Sequence, residues 1–329
     1  MSRHAAVVPG GPSRLEEHER PTPGPIAVLP EPDAFFTAAV EAGGGQVQPL
    51  SANTRGIIWL SNSRAPELTD VLAAHPGVEW VQLPWAGIDA FAGTMRHHGG
   101  RTLLWTSAKG CFAQPVAEHA LALTLALMRV LPKRARATSW NPTEEGRSLY
   151  GRTVVIVGAG GIAHELLRLL EPFGVHGVVV RRRADPVPGA SRTLPSEALR
   201  DVLPEADVVV VAAALTAGTR QLIGAAELAL LPPTAVLVNV GRGALVDTDA
   251  LVDALARGLI AGAALDVTDP EPLPASHPLW AEPRCLITPH MADTPEMTAP
   301  LLARRIEENV RAFHGGGAFV GVVDPALGY

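Results

Sequence analysis

Cysteine is scarce: Cys111 and Cys285 are the two in 329 residues, and neither sits in a metal-like spacing. A lone pair does not establish a disulfide, so buried thiols in a reducing compartment are expected. Long apolar runs are also missing. The most apolar run, Ala120 to Leu131, is too short to cross a bilayer and meets Glu118, His119 and Arg129. Positive charge is not in excess. A net charge of −6 argues against nucleic acid and anionic membranes as main partners. The N-terminus lacks a secretory apolar core, because Pro9, Gly10 and Pro12 break it early, so a cytoplasmic location is expected. No solenoid-type repeat is present. Residues 1–25 are rich in Pro, Gly and charge and read as a disordered tail.

The chain is organised around Val154-Val155-Ile156-Val157-Gly158-Ala159-Gly160-Gly161-Ile162-Ala163. Four β-branched residues in a row suit a strand buried on both faces. Glycines then allow a sharp turn, and Ile162, Leu166, Leu167, Leu169 and Leu170 follow helical spacing. A helix N-terminus behind such a turn offers backbone N–H groups and partial positive charge to a phosphate. This strand–turn–helix frame is what a dinucleotide fingerprint requires, with Ala163 in the third small position. An ordinary tight βα turn is the bland alternative.

Length favours two domains. Strands alternate with helices on both sides of the glycine turn, which predicts an α/β protein with parallel sheets. The buried helix from Gln114 to about Leu131 precedes a polar stretch, Lys133–Gly151, that reads as a connecting loop, and 195–203 reads as a helix. Three polar residues fall just after predicted strands: Arg242 in Asn239-Val240-Gly241-Arg242-Gly243, Glu271 in the run Asp266 to Pro272, and His290 in Thr288-Pro289-His290. Ligands of open α/β sheets bind beyond the carboxyl ends of strands, so these three should converge near the glycine turn. An arginine holds a carboxylate bidentately and polarises a carbonyl. A histidine exchanges the proton that accompanies hydride transfer, and a neighbouring carboxylate orients its imidazole and stabilises its charged form. Together they suit reversible reduction of a 2-oxo acid by a nicotinamide; each alone has a structural explanation as a loop or capping residue.

The order of these pieces, with Leu83-Pro84-Trp85-Ala86-Gly87-Ile88-Asp89 and Pro115 to Leu123 ahead of them, resembles the D-isomer-specific 2-hydroxyacid dehydrogenase family over about residues 26–315. The resemblance implies a Rossmann-type cofactor domain, 117–293, inserted in a discontinuous flavodoxin-like substrate domain, 26–116 and 294–329, both doubly wound. It implies that Arg242 binds the substrate, that His290 is the general acid/base and that Glu271 is its partner. Backbone groups around Trp85, Ala86, Gly87 and Ile88 would hold the substrate carboxylate. Gly158, Gly160, Gly161, Ile162, Ala213 and Val240 would line the cofactor, with Asp266 near the nicotinamide carboxamide. A homodimer is implied, with Trp140 in the interface arm, and no metal is needed.

The departures are informative. In NAD-preferring members an acidic residue ends the second strand; twenty-three residues after Gly158 this chain has Arg181, then Arg182 and Arg183. Three guanidinium groups suit a 2′-phosphate, and no acidic group is expected to repel it, so NADP(H) is preferred while NAD(H) is possible. Leu83, Pro84 and Trp85 offer no charge to a substrate phosphate, so a small 2-oxo acid is favoured, with glyoxylate and hydroxypyruvate first. Two rivals remain: a cofactor-responsive, corepressor-like binding protein of the same fold, and a related enzyme acting on an oxyanion such as phosphite.

Overall fold

The computed structural model describes residues 4–327. The chain divides into two compact units, one comprising residues up to 112 and from 295 on, the other Ala113–Thr294.

In the first unit a parallel sheet runs in the order β1 (Ile26–Leu29), β2 (Gly56–Trp59), β3 (Trp80–Gln82), β4 (Leu104–Thr106). Val47 makes a parallel bridge to Ile26 on the outer side of β1. It stands where a flavodoxin-like order places its second strand. Helices α1 (Ala34–Ala42), α2 (Ala65–Ala74) and α3 (Ala92–His97) alternate with these strands. α1 starts where Asp33 accepts the N–H groups of Phe35 and Phe36, an N-cap that satisfies two otherwise unpaired donors. The two faces of the sheet carry separate cores, one around Ile26, Ile58 and Trp80, the other around Ile57, Trp59 and Phe91.

The second unit begins with α4 (Ala113–Met128) and a one-turn helix, α5 (Leu131–Ala135), which runs into the start of the stretch Lys133–Gly151 read from sequence as loop. Seven parallel strands follow: β5 (Thr153–Val157), β6 (His176–Arg181), β7 (Arg192–Pro195), β8 (Val208–Val211), β9 (Val236–Asn239), β10 (Gly262–Leu265) and β11 (Cys285–Ile287). Their order is β11-β10-β9-β8-β5-β6-β7. The winding direction reverses between β5 and β8, the switch point at which such sheets bind ligands. Val154 to Val157 and Val208 to Val211 are all buried, as expected of central strands covered on both faces. Helices α6 (Gly161–Leu170), α7 (Leu199–Val202), α8 (Ala225–Leu228) and α9 (Thr248–Ala256) complete the unit. On α6, Ala163, Leu166, Leu167 and Leu170 are buried at helical spacing. The helix expected at 195–203 forms as a 3-10 turn, Ser196–Ala198, running into α7, while β7 ends at Pro195 and pairs with Val178 to Arg181.

The chain returns to the first unit as α10 (Pro295–Gly315). Residues 4–25, read from sequence as a disordered tail, are instead tied to this unit. Ser13 pairs with Phe319, Val7 N–H donates to Gly110 O, and Arg20 donates to the carbonyls of Ala312 and Gly317. Composition is silent on this because the partners are backbone groups one hundred to three hundred residues away.

Candidate active site

The site is built on the carboxyl edge of the seven-stranded sheet. After β5, Gly158 takes φ +114°, and a Cβ there would lie 2.6 Å from Ala212 O. Only glycine fits, so the turn can press against the backbone that follows β8. Gly160 has open space where a Cβ would stand, and α6 starts at Gly161. Gly160 therefore presents unencumbered backbone just ahead of the helix N-terminus at Gly161 and Ile162, which fits a dinucleotide phosphate. Ala213 follows β8 on the same edge, and Val240 follows β9.

Arg181 is the last residue of β6, next to the glycine turn, since Gly158 N–H donates to Val180 O. The absence of acidic groups expected there does not hold. Asp185 lies 2.9 Å from Arg183 Nε and 4.0 Å from Arg181, as the chain after β6 turns back on itself. Counting along the sequence locates the strand end but not this returning turn. Arg181 keeps about a quarter of its side chain exposed and Arg183 most of it. Near Arg181, burial and then the guanidinium charge lower the pKa of His164.

The three candidate catalytic residues follow neighbouring strands. Arg242 follows β9, where Asn239 accepts Gly241 N–H and donates to Arg242 O, shaping the turn; Arg242 Nη1 donates to Gly241 O. Gly243 is the residue sequence reasoning did not single out. A Cβ on it would lie 1.9 Å from the carbonyl of Thr268, so its missing side chain lets the loop after β9 pack on the loop carrying Glu271. That second loop places Glu271 Oε1 2.7 Å from His290 Nδ1. His290 sits at φ +54°, a left-handed conformation unusual for a non-glycine residue.

Asp266 follows β10 and is 2 % exposed. Its carboxylate is spent inside the protein: Oδ1 accepts Thr288 Oγ1–H at 2.6 Å and Met291 N–H at 3.0 Å, and Oδ2 accepts Ala292 N–H at 3.2 Å. Burial pushes its pKa up, but the neighbouring His119 and the hydrogen bonds from Thr288 and Met291 outweigh it and hold it below the ordinary value. The expectation that Asp266 faces the nicotinamide carboxamide thus meets a side chain committed to the His290 loop.

In the first unit, Trp85, Ala86, Gly87 and Ile88 form the turn after β3. Trp85 O accepts Ala108 N–H, Trp85 is 39 % exposed and Ile88 is buried. Among the described residues no group of three or more His, Cys, Asp or Glu could hold a metal, and no helix is long and apolar enough to cross a membrane.

Residues 121–292 match the family model for the D-isomer specific 2-hydroxyacid dehydrogenase, NAD binding domain. The chain belongs to this family. It is 41 % identical over 89 % of its length to an uncharacterised protein of the proB 3′ region of Corynebacterium melassecola, covering 96 % of that protein. It is 37 % identical to the glyoxylate reductase of Aeropyrum pernix over 64 % of this chain and 66 % of the relative. The D-isomer specific 2-hydroxyacid dehydrogenase of Xanthobacter autotrophicus Py2, solved with NADPH and MES, superposes with a TM-score of 0.80. At 29 % identity it covers 94 % of this chain and all of that one. An oxidoreductase with a nicotinamide-binding domain follows from this membership.

Proposed function

We propose that the protein reduces a small 2-oxo acid to the 2-hydroxy acid with NADPH, glyoxylate and hydroxypyruvate being the first substrates. The observation that carries the reading is the 2.7 Å Glu271–His290 pair on the carboxyl edge of a Rossmann-type sheet. The glyoxylate reductases among the relatives support the substrate class. The NADPH in the Xanthobacter structure and the Arg181–Arg183 run support the cofactor.

The bound cofactor supplies a hydride to the carbonyl carbon. The turn at Gly158, Gly160 and Gly161 would hold its pyrophosphate, and Arg181 with Arg182 its 2′-phosphate. Glu271 accepts a hydrogen bond from His290 Nδ1, which leaves Nε2 as the atom that gives its proton to the carbonyl oxygen. Arg242 fixes the substrate carboxylate and polarises the carbonyl. A homodimer belongs to the same reading, with Trp140, 95 % exposed in the chain alone, covered by the partner; sedimentation at micromolar concentration tests it.

The first experiment follows nicotinamide absorbance with NADPH and NADH against glyoxylate, hydroxypyruvate, pyruvate and phenylpyruvate. Turnover lost at least about a hundredfold in His290→Ala is expected, in line with general acid catalysis. No turnover above that variant with any substrate would overturn the reading in favour of a cofactor-binding protein. Arg181→Asp should weaken NADPH use more than NADH use; equal effects would remove the NADP preference.

A further inference from the structure

We propose that His119 on α4 is a positioning residue for His290, acting through Thr288 and Asp266. The inference rests on the reading of His290 as the proton donor. His119 Nε2 lies 3.0 Å from Thr288 Oγ1 and 3.5 Å from Asp266 Oδ1. Thr288 has one hydroxyl proton and directs it to Asp266 Oδ1 at 2.6 Å. The Nε2 atom is therefore the donor to Thr288, and the three side chains form a one-way chain, His119 to Thr288 to Asp266.

The end of that chain is the His290 loop. Asp266 holds it at three points: its backbone carbonyl accepts His290 N–H at 2.7 Å, and its carboxylate accepts the N–H groups of Met291 and Ala292. These bonds enclose the residue at φ +54°. A non-glycine residue in that region costs roughly 1–3 kcal/mol and persists only where its surroundings over-determine it. Asp266 accepts from the loop, and His119 and Thr288 fix the orientation of its carboxylate. Removing the Nε2–H donor frees Thr288 to rotate, loosens Asp266 and lets the imidazole of His290 drift from the substrate carbonyl.

Four variants test this: His119→Leu removes the donor, His119→Gln keeps an N–H at about the reach of Nε2, Thr288→Val breaks the middle of the chain, and His119→Leu/Thr288→Val breaks both. Expected for His119→Leu and for Thr288→Val is a kcat lowered about tenfold, with NADPH affinity, titrated by its fluorescence, within about twofold of the parent. His119→Gln should stay within about twofold, and the double variant should be no worse than either single one. Hydrogen exchange at the amides of His290, Met291 and Ala292 should quicken about tenfold in His119→Leu and Thr288→Val, but not in His119→Gln. Unchanged exchange and kcat in His119→Leu, or His119→Gln falling as far as His119→Leu, overturns the proposal. A parent protein without 2-oxo acid turnover overturns the proposed function instead, while the exchange pattern still decides whether His119 positions the loop.

Discussion

Gly243 shows how much a single missing side chain contributes. With 1.9 Å between a virtual Cβ and the Thr268 carbonyl, Gly243→Ala must push two loops apart. Overpacking of this kind costs about 1–3 kcal/mol, so urea midpoints should fall and kcat should fall with them as Arg242 and Glu271 separate. Asp266 makes a pH prediction. Its folded pKa is depressed, so the stability it contributes is fully present above the ordinary carboxylate pKa of about 3.9. That stability is lost as pH falls through the lower folded value. Asp266→Asn should be destabilised at pH 7 and show less of this acid-side loss; parallel pH–stability curves would refute the assignment. The two thiols make another. Burial, the leading cause at each, raises Cys111 to about 11 and Cys285 to about 12. Both should resist iodoacetamide in the native protein and react on unfolding.

Among the elements, the N-terminal segment has the least support from its own sequence. Arg20 donates to Ala312 O at 2.7 Å and to Gly317 O at 2.9 Å, and its guanidinium lies 5.7 Å from the centre of the Phe319 ring. Arg20→Ala should cost about 1–2 kcal/mol and speed proteolysis within residues 4–25, as mass spectrometry would show; an unchanged cleavage rate would mean the segment holds without it. α10 illustrates the other side of element formation. Its buried Asn309 donates to Gln82 Oε1 and to Val320 O, while Trp80 Nε1–H and Thr106 close the network around Gln82. The periodicity of α10 is legible in sequence, but its partners are not, because a buried polar residue is satisfied by whatever the fold brings to it.

Across the whole molecule, each unit has its own core, and the glycine turn belongs to one of them. Ligand linkage therefore has a local signature. NADPH at a hundred times its Kd should stabilise the protein by about 2.7 kcal/mol, with hydrogen-exchange protection gained at 158–164. A thermal shift without that local protection would place the cofactor elsewhere. The parallel architecture of both units was legible in sequence because β-branched runs, glycine turns and helical spacing are local signals. The family-level order of motifs was legible too, and so was the convergence of Glu271 with His290, since both follow adjacent parallel strands.

What the sequence determined by itself was the class of fold, the glycine turn after β5 and the placing of Arg242, Glu271 and His290 just after neighbouring strands. Tertiary structure alone decided that Asp185 comes back to Arg183, that Asp266 is spent on the His290 loop, that His119 reaches Thr288, and that Gly243 admits the neighbouring loop. These facts depend on backbone groups and side chains 2 to 169 positions apart. The chain brings them together only when the sheet has set the spacing between its strand ends. Periodicity encodes which face of an element is buried; it does not encode which partner waits there.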